Sequence, residues 1–167
     1  SAEGDSTLFA GGTWGDADGR RTQAQFRTFG PAVWGPDQCF YFGSGGIVRK
    51  LALDGTVTTL AGWNQGFGDP DEPRASSFLG ITVDKNGSVY AAHCEKREVI
   101  KITPDGKVIT VLEGGLGWAP SGVTLVGNDL YVLEHRAGLM IVTEKAGFGG
   151  PRVRKVSADG KVTTVGI

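Results

Sequence analysis

The sequence lacks most of the devices by which a chain is cross-linked, anchored or charged for one kind of partner. Only two of its 167 residues are cysteine, which gives no disulfide framework and sets no redox compartment. An excess of one charge is missing too: 17 basic residues face 18 acidic ones, for a formal net charge of −1. With no cationic excess to neutralise phosphates, nucleic-acid binding is not expected. No stretch approaches the roughly 18 consecutive apolar residues of a transmembrane helix, so no membrane span is expected. No signal peptide is recognisable and the chain opens on Ser1 rather than methionine, so a processed or tagged chain or a piece of a longer one is expected.

Glycine, by contrast, is abundant, at 28 residues beside 7 prolines, more than twice the usual share of about 7%. Each glycine inside a helix costs about 1 kcal/mol relative to alanine, which argues against a helical bundle. The hydrophobic share of 40% is too high for a disordered chain.

Internal repeats organise the rest. Asp-Gly occurs in VRKLALDGTVTTLAG at Asp54-Gly55, in VIKITPDGKVITVLEG at Asp105-Gly106 and in VRKVSADGKVTTVGI at Asp159-Gly160, spaced by 51 and 54 residues. Each copy reads as strand, two-residue turn and strand, because the tight turn needs a positive φ that glycine tolerates. A second hairpin precedes each copy, from Pro31 to Gly43, Gly80 to His93 and Gly122 to Glu134. Each unit therefore holds four short antiparallel strands, A to D. Strand A is Ala32–Trp34, Ile81–Val83 or Val123–Leu125, and strand B is Phe40–Phe42, Val89–Ala92 or Leu130–Leu133. Strand C is Val48–Leu51, Val99–Ile102 or Val153–Val156, and strand D is Val57–Ala61, Val108–Leu112 or Val162–Val165. Any helix is confined to one turn, near Thr22–Phe26 or Arg74–Phe78.

Four-stranded units at this spacing are blades of a β-propeller, so the expected fold class is all-β. The sequence also resembles the NHL-repeat family. The resemblance rests on the TLAG strand, the Gly-Phe-x-Asp loop, the phenylalanine before the Gly-Ile strand, the VDKNGSVY turn and the KITPDGKV hairpin. It departs where the family has VADTxNxRI, since HCEKREVI and EHRAGLMI stand here. The resemblance implies a binding scaffold, or less commonly a lyase or lactonase with a metal site, and leans to a periplasmic or secreted location.

The expected blades are residues 13–62, 63–114 and 115–167, the last with an insertion over 136–151. Residues 1–12, through Ser6–Gly12, match the end of a D strand and read as the orphan outer strand of a preceding blade. Propellers close with roughly 4–8 blades. The remaining blades, of a ring of six, are expected from a longer chain or from a second copy; the orphan strand favours the longer chain.

Connectivity puts the tight A–B and C–D turns on one face and the long B–C and D–A loops on the other. Function gathers on variable loops held by a rigid scaffold, so the long-loop face is the expected binding face. Trp14, Trp63 and Trp118 fall in D–A connections, where they either stack on a ligand or partner or cap the core between blades. Trp34 reads as packing near the channel. Ser44, His93 and Glu134 take equivalent positions where strand B reaches the mouth of the channel, and His135 follows. His93, Glu134 and His135 offer a metal or acid–base constellation, or replace the loop-capping aspartate of the family.

The acidic loops Gly15–Arg21 and Gly68–Arg74 offer Asp16, Asp18, Asp69, Asp71 and Glu72 as oxygen ligands. They lack calcium-loop spacing and each carries its own arginine, so turn capping explains them more simply. No cofactor is expected. Cys39 and Cys94 fall at opposite ends of equivalent strands, roughly 15 Å apart at ~3.3 Å per residue, and are expected to be free. The third B–C loop is 13–15 residues longer than its counterparts and carries Leu139, Met140 and Ile141. Those apolar side chains suggest either docking of a protein partner or a β-extension folded back over its own blade. The expected function is a non-catalytic scaffold or subunit binding through the long-loop face; the alternative is part of a propeller hydrolase or lyase with a metal at its channel.

Overall fold

A computed structural model describes residue 4 and residues 6–62, 78–136 and 150–165. Its strands are β1 (Gly19–Arg20), β2 (Ala32–Trp34), β3 (Cys39–Ser44), β4 (Ile47–Ala52), β5 (Thr56–Ala61), β6 (Phe78–Val83) and β7 (Val89–His93). They continue with β8 (Glu98–Ile102), β9 (Val108–Glu113), β10 (Trp118–Val126), β11 (Asp129–Arg136), β12 (Arg152–Val156) and β13 (Val162–Val165). The three sheets run β1-β5-β4-β3-β2, β6-β7-β8-β9 and β10-β11-β12-β13, all antiparallel. Strands A to D of each expected blade are all present. The helical content among the described residues is one 3₁₀ turn, Arg21–Gln23. No helix of the described residues is long and apolar enough to cross a membrane.

One local expectation needs correction. The Asp-Gly turns are not two-residue loops. Gly55 donates to the carbonyl of Ala52, Gly106 to Thr103 and Gly160 to Ser157. The glycine therefore closes a four-residue turn in its last position, at φ of +88°, +85° and +84° respectively. The preceding aspartates keep negative φ, which a type I′ turn would not allow. Outside β5 lies β1, paired through Gly19↔Val57 and Arg20↔Thr56, while Ser6–Gly12 pairs with none of the strands described.

The blades stack through apolar faces. Cys39, Tyr41 and Val48 of blade 1 pack with Phe78, Ile81, Val89, Ala91 and Ile100 of blade 2. Val99 and Tyr90 of blade 2 pack with Leu130, Val132 and Val156 of blade 3. Ala24, Phe42 and Val57 form a third cluster, in which the segment ahead of β2 lies on blade 1 with Phe26 and Ala10.

The inner strands β6 and β10 come into close contact at Gly80. A Cβ there would lie 2.7 Å from the backbone nitrogen of Val123 and 2.8 Å from the Cα of Gly122. Backbone cannot yield as a flexible side chain does. Gly80→Ala is expected to lower stability by about 1–3 kcal/mol through overpacking. Gly150→Ala, which meets nothing within 4 Å, is the control; equal melting temperatures for the two variants would refute the close approach.

Cys39 is buried and Cys94 half-buried, and both are free thiols whose pKa is raised by burial. Titration with a thiol reagent under denaturing, non-reducing conditions is expected to count two.

Candidate functional site

The end of strand B on the long-loop side carries Ser44, His93 and Glu134, and all three are fully buried. The register confirms their equivalence, since Ser44 faces Ile47, His93 faces Glu98 and Glu134 faces Arg152 on the neighbouring strand C. Their environments differ.

His93 closes the B–C turn of blade 2. Its Nδ1 accepts the backbone N–H of Lys96 at 3.0 Å, which places the ring proton on Nε2. Phe78 meets the imidazole edge-to-face, with ring centres 4.9 Å apart. Burial pushes its pKa down to about 4, so the ring is neutral near pH 7.

Glu134 is an ion-pair centre. Arg152 Nε donates to Oε2 at 2.7 Å, and Arg154 Nη1 stands 3.8 Å from Oε1. Arg152 also donates to the carbonyl of Gly114, and Arg154 to that of Glu113. Arg154 has an equivalent in blade 1, Arg49, as the copies VRKLALDG and VRKVSADG show. Arg49 is fully buried and reaches Asp18 Oδ1 at 2.7 Å, while Asp18 Oδ2 accepts the N–H of Thr59. Blade 1 thus neutralises its strand-C arginine with an acid from the connecting loop. Glu113–Ser121 holds no acid beyond Glu113, and in blade 3 Glu134 supplies the charge from strand B.

Trp118 begins β10 rather than lying in the loop before it, paired with Arg136. The guanidinium of Arg152 lies 4.1 Å from its ring centre and that of Arg136 4.9 Å. Trp118, Glu134, Arg136 and Arg152 therefore form one cluster at the base of the long insertion. His135 is half-buried and pairs with Ala119; its side chain joins no ion pair with Glu134. Trp14 is 62% exposed, with Arg27 stacked 4.6 Å from its ring centre. Trp34 corrects the expectation of buried packing: it is 48% exposed and touches Phe40 edge-to-face. Trp63, Leu139, Met140 and Ile141, with Asp69, Asp71 and Glu72, lie outside the described residues.

The first acidic loop does not present free carboxylates. Asp16 is bound by Arg27 at 2.6 Å and Asp18 by Arg49, partners other than the arginines within the loop. Sequence reasoning overlooked Arg49, Arg136, Arg152 and Arg154. The repeated VRK triplet was the signal for two of them.

The opposite face is not featureless. A cleft of about 370 Å³ between blades 1 and 2 is lined by Asp37, Tyr41, Lys50, Lys85 and Asn86 among others. Two of its charges pair: Lys50 Nζ lies 2.6 Å from Asp37, and the Tyr41 hydroxyl donates to the same carboxylate. Burial and that bond push the Tyr41 pKa up to about 12. The arrangement recurs as Lys101 with Asp84 and Tyr90, and as Lys155 with Asp129 and Tyr131. Repetition in every blade marks it as architecture.

No family model matches the chain, and no curated protein matches it. Solved structures do. A gluconolactonase from Xanthomonas campestris superposes with a TM-score of 0.60 at 15% identity, over 96% of this chain and 50% of that one. Virginiamycin B lyase from Staphylococcus aureus gives 0.57 at 14% identity, over 83% and 41%. A luciferin-regenerating enzyme gives 0.51 at 12% identity, over 83% and 45%. At such identities the likeness shows the fold: the protein is a β-propeller, of which this chain contributes three four-stranded blades. It spans about half the length of those structures.

His93 sets a pH dependence. The unfolded imidazole titrates near 6.5 and the folded one near 4. Because the folded pKa is the lower, the unfolded state binds the extra proton between these values. Stability is full above pH 6.5 and falls as pH drops toward 4, by about 3 kcal/mol. His93→Gln is expected to flatten that part of the profile in denaturant unfolding followed across pH. An unchanged slope would refute the buried neutral ring.

Proposed function

We propose that this chain is part of a propeller scaffold that binds an anionic ligand, or an acidic segment of a protein, on its long-loop face. The observation that supports this is the cluster at Trp118: two guanidinium groups against one indole, with a buried carboxylate fixing Arg152. Guanidinium over indole is a platform for planar anions, since the arginine recognises a carboxylate while the ring supplies apolar area. Benzoate and polyglutamate are suitable probes, followed by tryptophan fluorescence and calorimetry. Arg136→Ala and Trp118→Ala are each expected to weaken binding roughly tenfold, for a loss of about 1.4 kcal/mol. Equal affinity in wild type and both variants would remove the reading.

A second reading is a share of a propeller hydrolase or lyase with a metal at the channel, and the fold neighbours named lyase and gluconolactonase favour it. The described residues do not fit a cation at Glu134, because two arginines already face its carboxylate. Among the described residues no three His, Cys, Asp or Glu side chains gather as ligands. Metal content and lactone hydrolysis by the completed propeller distinguish this reading from the first.

A further inference from the structure

The Trp118 cluster reaches across the boundary between blades 2 and 3 through one glycine. Gly114 follows β9, and its N–H donates to the carbonyl of Arg97 at 2.6 Å. Its own carbonyl accepts Arg152 Nη2 at 3.3 Å. A Cβ at Gly114 would lie 2.5 Å from the carbonyl oxygen of Trp118, 2.9 Å from that of Arg97 and 3.3 Å from the Arg97 Cβ. No side chain fits between them, so the B–C turn of blade 2 abuts the start of β10. The Arg97 side chain leaves the backbone at that junction.

Arg97 closes that turn, its N–H donating to the carbonyl of Cys94 at 3.1 Å. Its φ is +57°, a region where a bulky side chain costs free energy and glycine or asparagine is the easier occupant. Strained backbone of this kind concentrates at binding sites. The charges at the junction do not balance. Glu134 is taken up by Arg152, with Arg154 3.8 Å from its other oxygen. Among the described residues neither Arg97 nor Arg136 forms an ion pair. The acids beside Arg97 are placed otherwise: Glu98 accepts the Thr110 hydroxyl at 2.7 Å, and Glu95 is exposed. Two guanidinium groups, one from each blade, thus stand without a carboxylate beside one indole.

We infer that the Trp118 site takes a planar diacid, with one carboxylate on Arg136 and Arg152 against the indole and the second on Arg97 across the blade boundary. The inference rests on the ligand reading of the proposed function and adds the class of ligand and a further binding residue. A single carboxylate leaves one of the two unpaired arginines to water. A second, borne on the far side of a flat ring, meets it with a charge-assisted hydrogen bond. A phosphate holds its charges on one group, whereas these two arginines stem from different blades. The ring between the carboxylates supplies the face that the indole stacks.

Calorimetric titration with terephthalate and benzoate, alike in the ring and different in the second carboxylate, tests it. Terephthalate is expected to bind roughly tenfold tighter than benzoate, the gain of about one charge-assisted hydrogen bond. In Arg97→Gly the ratio of the two affinities is expected to fall to about one, while the turn stays as it is because glycine accepts the positive φ. Should that variant melt below wild type, Arg97→Asn replaces it, since asparagine also tolerates this φ. Lys85→Ala, which removes a positive charge from the tight-turn face, is the control and keeps the ratio of wild type. Equal affinities in wild type, or an advantage of terephthalate that survives Arg97→Gly, would overturn the diacid while benzoate binding still supports the proposed function. A ratio that falls as far in Lys85→Ala reports general charge attraction and overturns it too. Polyglutamate binding that depends on Arg97, where terephthalate binding does not, makes an acidic peptide the occupant and sinks the planar diacid. Failure of benzoate to bind at all removes the proposed function, and this inference with it.

Discussion

The approach of two backbones at Gly80 sets the geometry on which the rest depends. Where β6 meets β10, no room exists for even a methyl group, since Gly122 and Val123 lie within 2.8 Å of the place a Cβ would take. Strands this close at the inner edge must diverge outward, because the side chains between the sheets need the usual spacing of about 10 Å. Inner contact and outer divergence make a wedge. The wedge is filled by Val99, Leu112, Leu130, Val132 and Val156, whose burial contributes on the order of 1.5–3 kcal/mol each. Long loops then gather at one end of the wedge and tight turns at the other.

Buried charge is distributed under that constraint. Arg49 and Arg154 hold one structural position in two blades; the fully buried charges there, Arg49 in blade 1 and Glu134 in blade 3, each have an ion-pair partner, as an unpaired buried charge is strongly destabilising. Blade 1 meets the need with Asp18 from its connecting loop, blade 3 with Glu134 from strand B, and blade 2 avoids it with Ile100. Glu134 also fixes Arg152, which lies with Arg136 against Trp118, where the insertion begins. The candidate site is therefore the local consequence of a charge handled differently in one repeat.

Much of this was legible in the residues. Period-two alternation, three Asp-Gly turns and a repeat of just over fifty residues place all twelve blade strands within a few residues of where they stand. The same alignment identifies Ser44, His93 and Glu134 as equivalents. Its failures have physical causes. Trp118 joins a strand because hydrogen bonding to Arg136 extends β10 beyond the apolar run. Trp34 is exposed because the face it belongs to has no neighbouring blade in this chain. The role of Arg49 was hidden because its partner Asp18 lies 31 residues away, and a charge pair across that distance leaves no periodic trace.

The sequence by itself determined the sheets, because strand pairing between neighbours is local and each turn carries its own chemistry. It also determined which side chains point toward a neighbouring blade, since alternation along a strand admits only two faces. The tertiary structure alone decided which charges neutralise one another, which equivalent face is covered and which is bare. Those outcomes depend on distances between segments remote in the chain, and a one-dimensional pattern carries no record of them.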